Sequence, residues 1–166
     1  MSIHTFLEWL GGTSFSLGLR DSTYAEPIVE TIHVLTLTVF LGFAILLDLR
    51  LLGLSMRKRS ASEVLDQLNP WLIASLIVLN VTGVLLFCGD PVAFYNSIFF
   101  KVKMWMLLAA VLNVLLFNAT VGRKIKQWEM DYSTPGPAKV AAVVSLVLWI
   151  AIIASGRAIA YSLPPP

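Results

Sequence analysis

Residues 28–54 read IVETIHVLTLTVFLGFAILLDLRLLGL, a stretch in which ionisable side chains are few and far apart. A helix of about 20 mainly apolar residues is long enough to cross the hydrocarbon core of a lipid bilayer. Basic residues follow in Arg57-Lys58-Arg59, as they commonly do on the cytoplasmic side of a membrane span. The stretch therefore predicts a transmembrane helix over about residues 28–54, beginning just after Pro27.

Three more apolar stretches predict spans at about residues 71–87, 98–120 and 138–161. Hydrophobic residues make up 57% of the chain and charged residues 13%, with a mean hydropathy of +0.80, whereas a soluble domain carries about 25% charged residues. The four spans and their loops occupy nearly the whole chain. We therefore predict an all-α fold: an integral membrane four-helix bundle that forms a single transmembrane domain over residues 1–166, with the lipid bilayer as its main partner.

The segments outside the spans carry weaker signals. Residues 1–26 predict a short interfacial segment with Trp9 near the lipid headgroups. They lack the pattern of a cleaved secretory signal, so Met1 is expected to be retained. Ser60 and Glu63 match a capping box, which predicts a short amphipathic turn on the membrane face before the helix restarts at Asn69-Pro70. The small net charge of +2 and the absence of a basic face speak against nucleic acid as a partner.

The distribution of basic residues predicts the orientation of the bundle. Loops rich in lysine and arginine face the cytoplasm. Both termini and the loop over residues 88–96 are therefore expected to face outward, which in a bacterial inner membrane is the periplasm. Asp48 and Arg50, at the inner end of the first span, are expected to form a helix-end pair. The basic residues of the two inner loops are Arg57, Lys58, Arg59, Arg123, Lys124, Lys126 and Lys139.

Ionisable residues within the spans indicate a candidate site. Such residues are costly in lipid and usually face the interior of a bundle. Glu30, His33, Lys103 and Arg157 all lie within roughly two helical turns of the outer ends of their spans. We therefore predict one pocket that opens toward the outer face. Its candidate binding residues are Glu30, His33, Lys103 and Arg157, with Thr36 and Asn113 nearer its floor.

Each of these residues also has a structural interpretation, which the sequence leaves open. His33 can be a hydrogen-bonded residue of helix packing instead of a ligand. Lys101 and Lys103 can extend from the end of a span to the headgroups. Arg157 can do the same, or it can form an ion pair with Glu30, because the two have opposite charges at matching depths.

Several short motifs, weak one by one, are more specific in combination. They are Glu30-x-x-His33, residues 47–53, Thr82-Gly83, residues 85–87, Asp90-Pro91, Phe100-x-x-Lys103, Asn113, residues 145–149 and residues 156–161. Together they resemble an uncharacterised bacterial family of four-helix inner-membrane proteins. The likeness runs from about residue 17 to residue 161, and it implies the same fold and membrane.

More distantly, the chain is similar to the HemJ-type protoporphyrinogen oxidases and to the copper-resistance protein D family. In both, a histidine in an early span and a lysine opening a later span are prominent. The resemblance to the HemJ type implies haem b, with His33 as an axial ligand of its iron and Lys103 in the same pocket. The HemJ pattern around these residues is not otherwise reproduced, so the oxidase activity is not carried over.

Three functions are compatible with these observations. The first is a small haem-binding or redox-linked protein, in which Glu30 orients His33 while Lys103 and Arg157 meet the haem propionates. A second axial ligand would be His4, which lies outside the spans, or Lys103; otherwise the site is five-coordinate or does not exist. The second function is that of a non-enzymatic accessory subunit of a larger membrane complex, or of a homo-oligomer. The third, transport of a metal or small solute, ranks last because the inner half of the spans has few polar residues.

Overall fold

The computed structural model describes residues 2–122 and 134–162, and this part of the chain is built from helices without any strand. The helices are α1 (Ile3–Gly11), α2 (Ser14–Arg20), α3 (Ala25–Leu52), α4 (Ala61–Gly89), α5 (Pro91–Asn96), α6 (Ile98–Thr120) and α7 (Gly136–Ser162). Four of them, α3, α4, α6 and α7, are long and apolar enough to cross a membrane, so the predicted all-α, multi-pass membrane fold is confirmed.

Local signals explain where α3 begins and ends. The helix starts at Ala25, so Pro27 lies in its first turn, where a proline has no helical N–H bond to lose. It stops at Gly53, whose φ of 74° places it in the left-handed region. Glycine adopts that conformation without the steric cost that a Cβ imposes, and it commonly ends helices for this reason.

The second span is longer than the sequence predicts. Ser60 caps α4 by accepting a hydrogen bond from the backbone N–H of Glu63 at 3.1 Å. The helix then continues through Pro70 to Gly89, whereas a short amphipathic turn and a restart at Asn69-Pro70 were expected. Pro70 lies on the exposed side of α4. There water, headgroups or neighbouring groups can satisfy the carbonyl that its missing N–H leaves unpaired.

The four long helices pack side by side in the order α4, α3, α7, α6. Among the described residues, α4 and α6, which would close this row into a ring, are not packed along their length. The three short helices cluster at the end of the bundle where α4 stops, which we call the capped end. There the hydroxyl of the fully buried Ser16 on α2 donates to the carbonyl of Cys88 at 2.6 Å.

Small residues allow close helix contact at the opposite end. Ala61 and Ala142 are almost fully buried with Leu51, and the partly buried Phe117 packs against this cluster. Small side chains at helix interfaces are typical of membrane bundles, because they let the backbones approach. In the middle of the bundle, Phe40 of α3 packs edge-on against Trp149 of α7, with the ring centres 4.7 Å apart.

The predicted pair of Asp48 with Arg50 is wrong. The Nε of Arg50 donates to the carbonyl of Arg59 at 2.8 Å, and the buried carboxyl of Asp48 instead accepts from the hydroxyl of Ser145 on α7. Residues two apart on a helix point to different faces, so the two side chains cannot meet. The Oδ2 atom of Asp48 is buried without a hydrogen-bond partner among the described residues.

Candidate functional site

His33 is held by one hydrogen bond that joins two helices. Its Nδ1 lies 2.8 Å from the hydroxyl oxygen of Thr82 on α4. That hydroxyl also lies 2.8 Å from the carbonyl of Val78, to which it donates its single proton. The Thr82 oxygen therefore accepts from His33, and the proton of the neutral ring sits on Nδ1. The other ring nitrogen, Nε2, keeps its lone pair and is available to a ligand.

Small residues flank the two basic side chains of the site. A Cβ at Gly83 would lie 3.5 Å from Cε1 of His33, and a Cβ at Gly156 would lie 3.8 Å from Nζ of Lys103. His33 belongs to α3, Gly83 to α4, Lys103 to α6 and Gly156 to α7. Each long helix thus contributes at least one residue at a depth of roughly 7 to 12 Å from its capped end, and α4 contributes both Thr82 and Gly83. We call His33, Thr82, Gly83, Lys103 and Gly156 the His33 site.

Lys103 brings an unpaired positive charge to this site. Its side chain is half-buried and forms no hydrogen bond or ion pair with any described residue. Its ammonium group is close enough for the charge to act on the imidazole of His33. A cation removed from water is stabilised by an anion or a hydrogen-bond acceptor. The His33 site is therefore suited to a ligand with an acidic or carbonyl oxygen.

Glu30 and Arg157 lie at the surface, outside the His33 site. Both side chains are exposed. Arg157 donates to the hydroxyl of Tyr161 at 3.1 Å, and its guanidinium lies 5.3 Å from the centre of that ring. The expected ion pair between Glu30 and Arg157 is not formed, because the tyrosine one turn away on the same helix engages the arginine. Glu30 also does not orient His33, since Thr82 does so.

The two residues predicted at the floor of the pocket lie in different places. Thr36 is half-buried on α3, one turn beyond His33, and its hydroxyl makes no hydrogen bond with a described residue. Asn113 lies about 15 Å farther along α6 than Lys103. Its amide donates to the carbonyl of Ala141 at 3.0 Å and ties α6 to α7. The structure thus places Thr36 beside the His33 site and Asn113 in the other half of the bundle.

Ligands for a metal ion are sparse in the described residues. His4 lies on α1 at the capped end, where its ring packs edge-on against Tyr95 with the centres 5.6 Å apart. Within residues 2–122 and 134–162, no group of three histidine, cysteine or acidic residues could hold a metal ion. His33 would meet a metal as a single protein ligand. That suits the iron of a haem, which the porphyrin already holds, better than a free ion, which needs several protein ligands.

Thr82 is the functional residue that sequence reasoning did not assign to His33. The sequence gives Thr82 only as part of the Thr82-Gly83 motif, without a partner. Thr82 lies about as far from the capped end of α4 as His33 lies from the capped end of α3. This match in depth was the signal in the sequence that could have indicated the pair. Depth alone does not show which face of α4 meets α3, so the pairing needed the tertiary structure.

Comparison with known proteins finds one family. Residues 6–162 match the model of a family of unknown function, DUF6644. No curated protein and no solved structure matches the chain.

Proposed function

We propose that this chain, which belongs to the DUF6644 family of unknown function, is a small haem-binding, redox-linked membrane protein whose haem b lies at the His33 site. Haem b, when bound, supplies an iron that takes up and releases one electron. The fixed state of His33 is the observation that carries the proposal. An imidazole whose Nδ1–H is held by a neighbouring group, with Nε2 free, is the usual arrangement of a histidine that ligates a metal.

Thr82 gives His33 its orientation in this proposal. Its hydroxyl is committed on one side to the carbonyl of Val78, so it can only accept from the ring. Partners of this kind fix the tautomer and the direction of the ligating nitrogen, and their loss typically lowers metal affinity by about 10- to 100-fold. His33 would therefore hold the iron, and Thr82 would hold His33.

Lys103 would bind the acidic edge of the haem. Its ammonium is half-buried and unpaired among the described residues, and a propionate would give it a charge-assisted hydrogen bond. Gly156 lies beside the ammonium, so no side chain of α7 intervenes at that position. Arg157 lies at the surface and is bonded to Tyr161, and it would meet the second propionate only by releasing that tyrosine. Both cations would help to hold the haem with its acidic edge toward the capped end.

The proposed location is the bacterial inner membrane, with the capped end toward the periplasm. Arg57, Lys58 and Arg59 are exposed at the opposite end of the bundle, as is Lys139. Clusters of this kind favour the cytoplasmic side. Arg123, Lys124 and Lys126, which contribute to the same prediction, lie outside the described residues. The choice of haem as the ligand follows from the resemblance of His33 and Lys103 to the histidine and lysine of the HemJ type.

An absorption spectrum of the purified, full-length protein, supplied with haem during expression, tests the proposal. We expect a Soret band that is lost in His33→Ala and a haem affinity that falls about 10- to 100-fold in Thr82→Val. Thr38→Val is a matched control, because the Thr38 hydroxyl bonds only to its own helix, at the carbonyl of Val34. A colourless wild-type protein, or a His33→Ala protein with an unchanged spectrum, would contradict the proposal.

A second candidate function, that of an accessory subunit of a larger membrane complex, is favoured by the packing of α6. Among the long helices, α6 is packed along its length only against α7. Ala110 is its only residue that is fully shielded among those described. A helix from a partner protein could complete the packing of α6 on its open side. Isolation of a defined complex in mild detergent, with a colourless His33 site, would favour this function over haem binding.

A further inference from the structure

One side of the bundle is open at the level of the His33 site. The other three sides are joined by side-chain contacts between neighbouring helices, whereas α4 and α6 are not packed along their length among the described residues. His33 is hydrogen-bonded to Thr82 and joins α3 to α4. Phe40 packs on Trp149 and joins α3 to α7. Asn113 donates to the carbonyl of Ala141 and joins α6 to α7.

Aromatic contacts bound the open side at the capped end. At the capped end, Phe87 of α4 stacks on Phe100 of α6, with ring centres 5.5 Å apart and an interplanar angle of 17°. Phe94 of α5 packs edge-on against Phe100 at 5.6 Å. At the opposite end, Phe117 of α6 packs against the cluster that contains Ala61 of α4. The ring contact between α4 and α6 is thus at the capped end, and the unpacked side begins beyond the Phe87–Phe100 pair.

We infer that the His33 site takes its ligand from the lipid phase, between α4 and α6, and that this ligand is an amphipathic molecule with an acidic group for Lys103. His33 and Lys103 are only half-buried, although three sides around them are packed. The remaining side faces lipid, so an incoming molecule must be lipid-soluble and thin enough to pass between two helices. The unpaired ammonium selects an acidic group on it. This inference rests on the site of the proposed function.

A cross-link between α4 and α6 tests the route. In a Cys88→Ala background, Phe87→Cys and Phe100→Cys are joined by a short bis-maleimide, and the protein is placed in liposomes that contain haemin. We expect haemin uptake to be at least about tenfold slower in the cross-linked protein than in the same variant without the linker. Protein that is cross-linked after loading should keep its haem. An unchanged rate of uptake would overturn the lateral route and leave haem binding itself intact.

A matched control places the same linker at the same end of the bundle without joining α4 to α6. His4 and Tyr95 have ring centres 5.6 Å apart and belong to α1 and α5. The cross-linked pair His4→Cys and Tyr95→Cys should take up haemin at the rate of the same double-cysteine variant without the linker, so that any effect of replacing His4 is common to both. A slowing equal to that of the Phe87–Phe100 pair would show that the linker acts by stiffening the capped end, and would count against the route.

A second probe decides the inference even if no haem binds. A fatty acid with a photoreactive diazirine in its chain is dissolved in the liposomes, and the labelled residues are mapped by mass spectrometry. We expect labelling next to Gly83 and Gly156, at least about fivefold weaker in Lys103→Gln and after the α4–α6 cross-link. The methyl ester of the probe should label these positions weakly in every variant. Labelling confined to the exposed apolar faces of the helices would overturn the inference.

Discussion

At the scale of single residues, one hydroxyl decides what His33 can do. Thr82 is almost fully buried, and its hydroxyl donates its only proton to the carbonyl of Val78 on the same helix. It therefore presents a pure acceptor to His33, and the imidazole must turn its protonated nitrogen toward α4. A serine, threonine or asparagine without this second bond could take either role. The chemistry of the site thus depends on a contact between a threonine and its own backbone.

The charge of Lys103 gives a prediction at the same scale. Lys103→Gln removes the ammonium but keeps a polar side chain of similar length, and we expect haem affinity to fall about 10-fold or more, since a hydrogen bond to a charged group contributes about 1.5–3 kcal/mol. Titration of the apoprotein with haemin measures this. Lys101→Gln is the control, because Lys101 is exposed and its ammonium lies 5.1 Å from the centre of the Tyr95 ring. Equal losses in the two variants would show that Lys103 has no specific role.

At the scale of helices, the bundle is held by a few side-chain ties between adjacent elements, and one of them is unusual. Asp48 of α3 is 6% exposed, accepts from Ser145 of α7, and leaves Oδ2 without a partner among the described residues. The hydrogen bond between Asp48 and Ser145 fixes the register of α3 against α7. Because a buried acceptor without a donor costs free energy, the same contact adds little net stability to the fold.

The two partners of this tie should respond differently to substitution. Asp48→Asn keeps the acceptor for Ser145 and removes the charge, so we expect the free energy of unfolding to change by less than about 1 kcal/mol or to rise. Ser145→Ala leaves the buried carboxyl of Asp48 without its hydrogen-bond donor and should lower the free energy of unfolding by about 1–3 kcal/mol. Thermal unfolding in detergent measures both. A large loss in Asp48→Asn would show that the charge of the carboxylate stabilises the bundle, contrary to this expectation.

At the scale of the whole molecule, the bundle has two chemically different ends. The capped end carries the three short helices, with exposed aromatic residues such as Phe6, Trp9 and Phe15, which suit the boundary between headgroups and lipid tails. The opposite end carries the exposed basic cluster Arg57-Lys58-Arg59. This asymmetry is the physical basis of the proposed orientation, and it puts the His33 site in the half of the bundle next to the capped end.

Thiol labelling tests the orientation. Cys88 is only half-buried and therefore a poor reporter, so the cysteines are placed in a Cys88→Ala background at exposed positions of each end. Tyr24→Cys, at a residue that is 75% exposed, should react with a membrane-impermeant maleimide added to intact bacterial spheroplasts. Lys58→Cys should react only after the membrane is permeabilised. The opposite pattern would reverse the proposed topology.

The sequence by itself determined the fold class and the number of spans, because a run of some 20 apolar residues has no stable alternative to a helix in lipid. It also placed Glu30, His33, Lys103 and Arg157 toward one end of the bundle, since depth follows from counting along a helix. Only the tertiary structure decided which of them meet. Depth leaves the rotation of each helix open. Rotation brought Thr82 to His33, left Arg157 exposed at the surface and left the side between α4 and α6 unpacked.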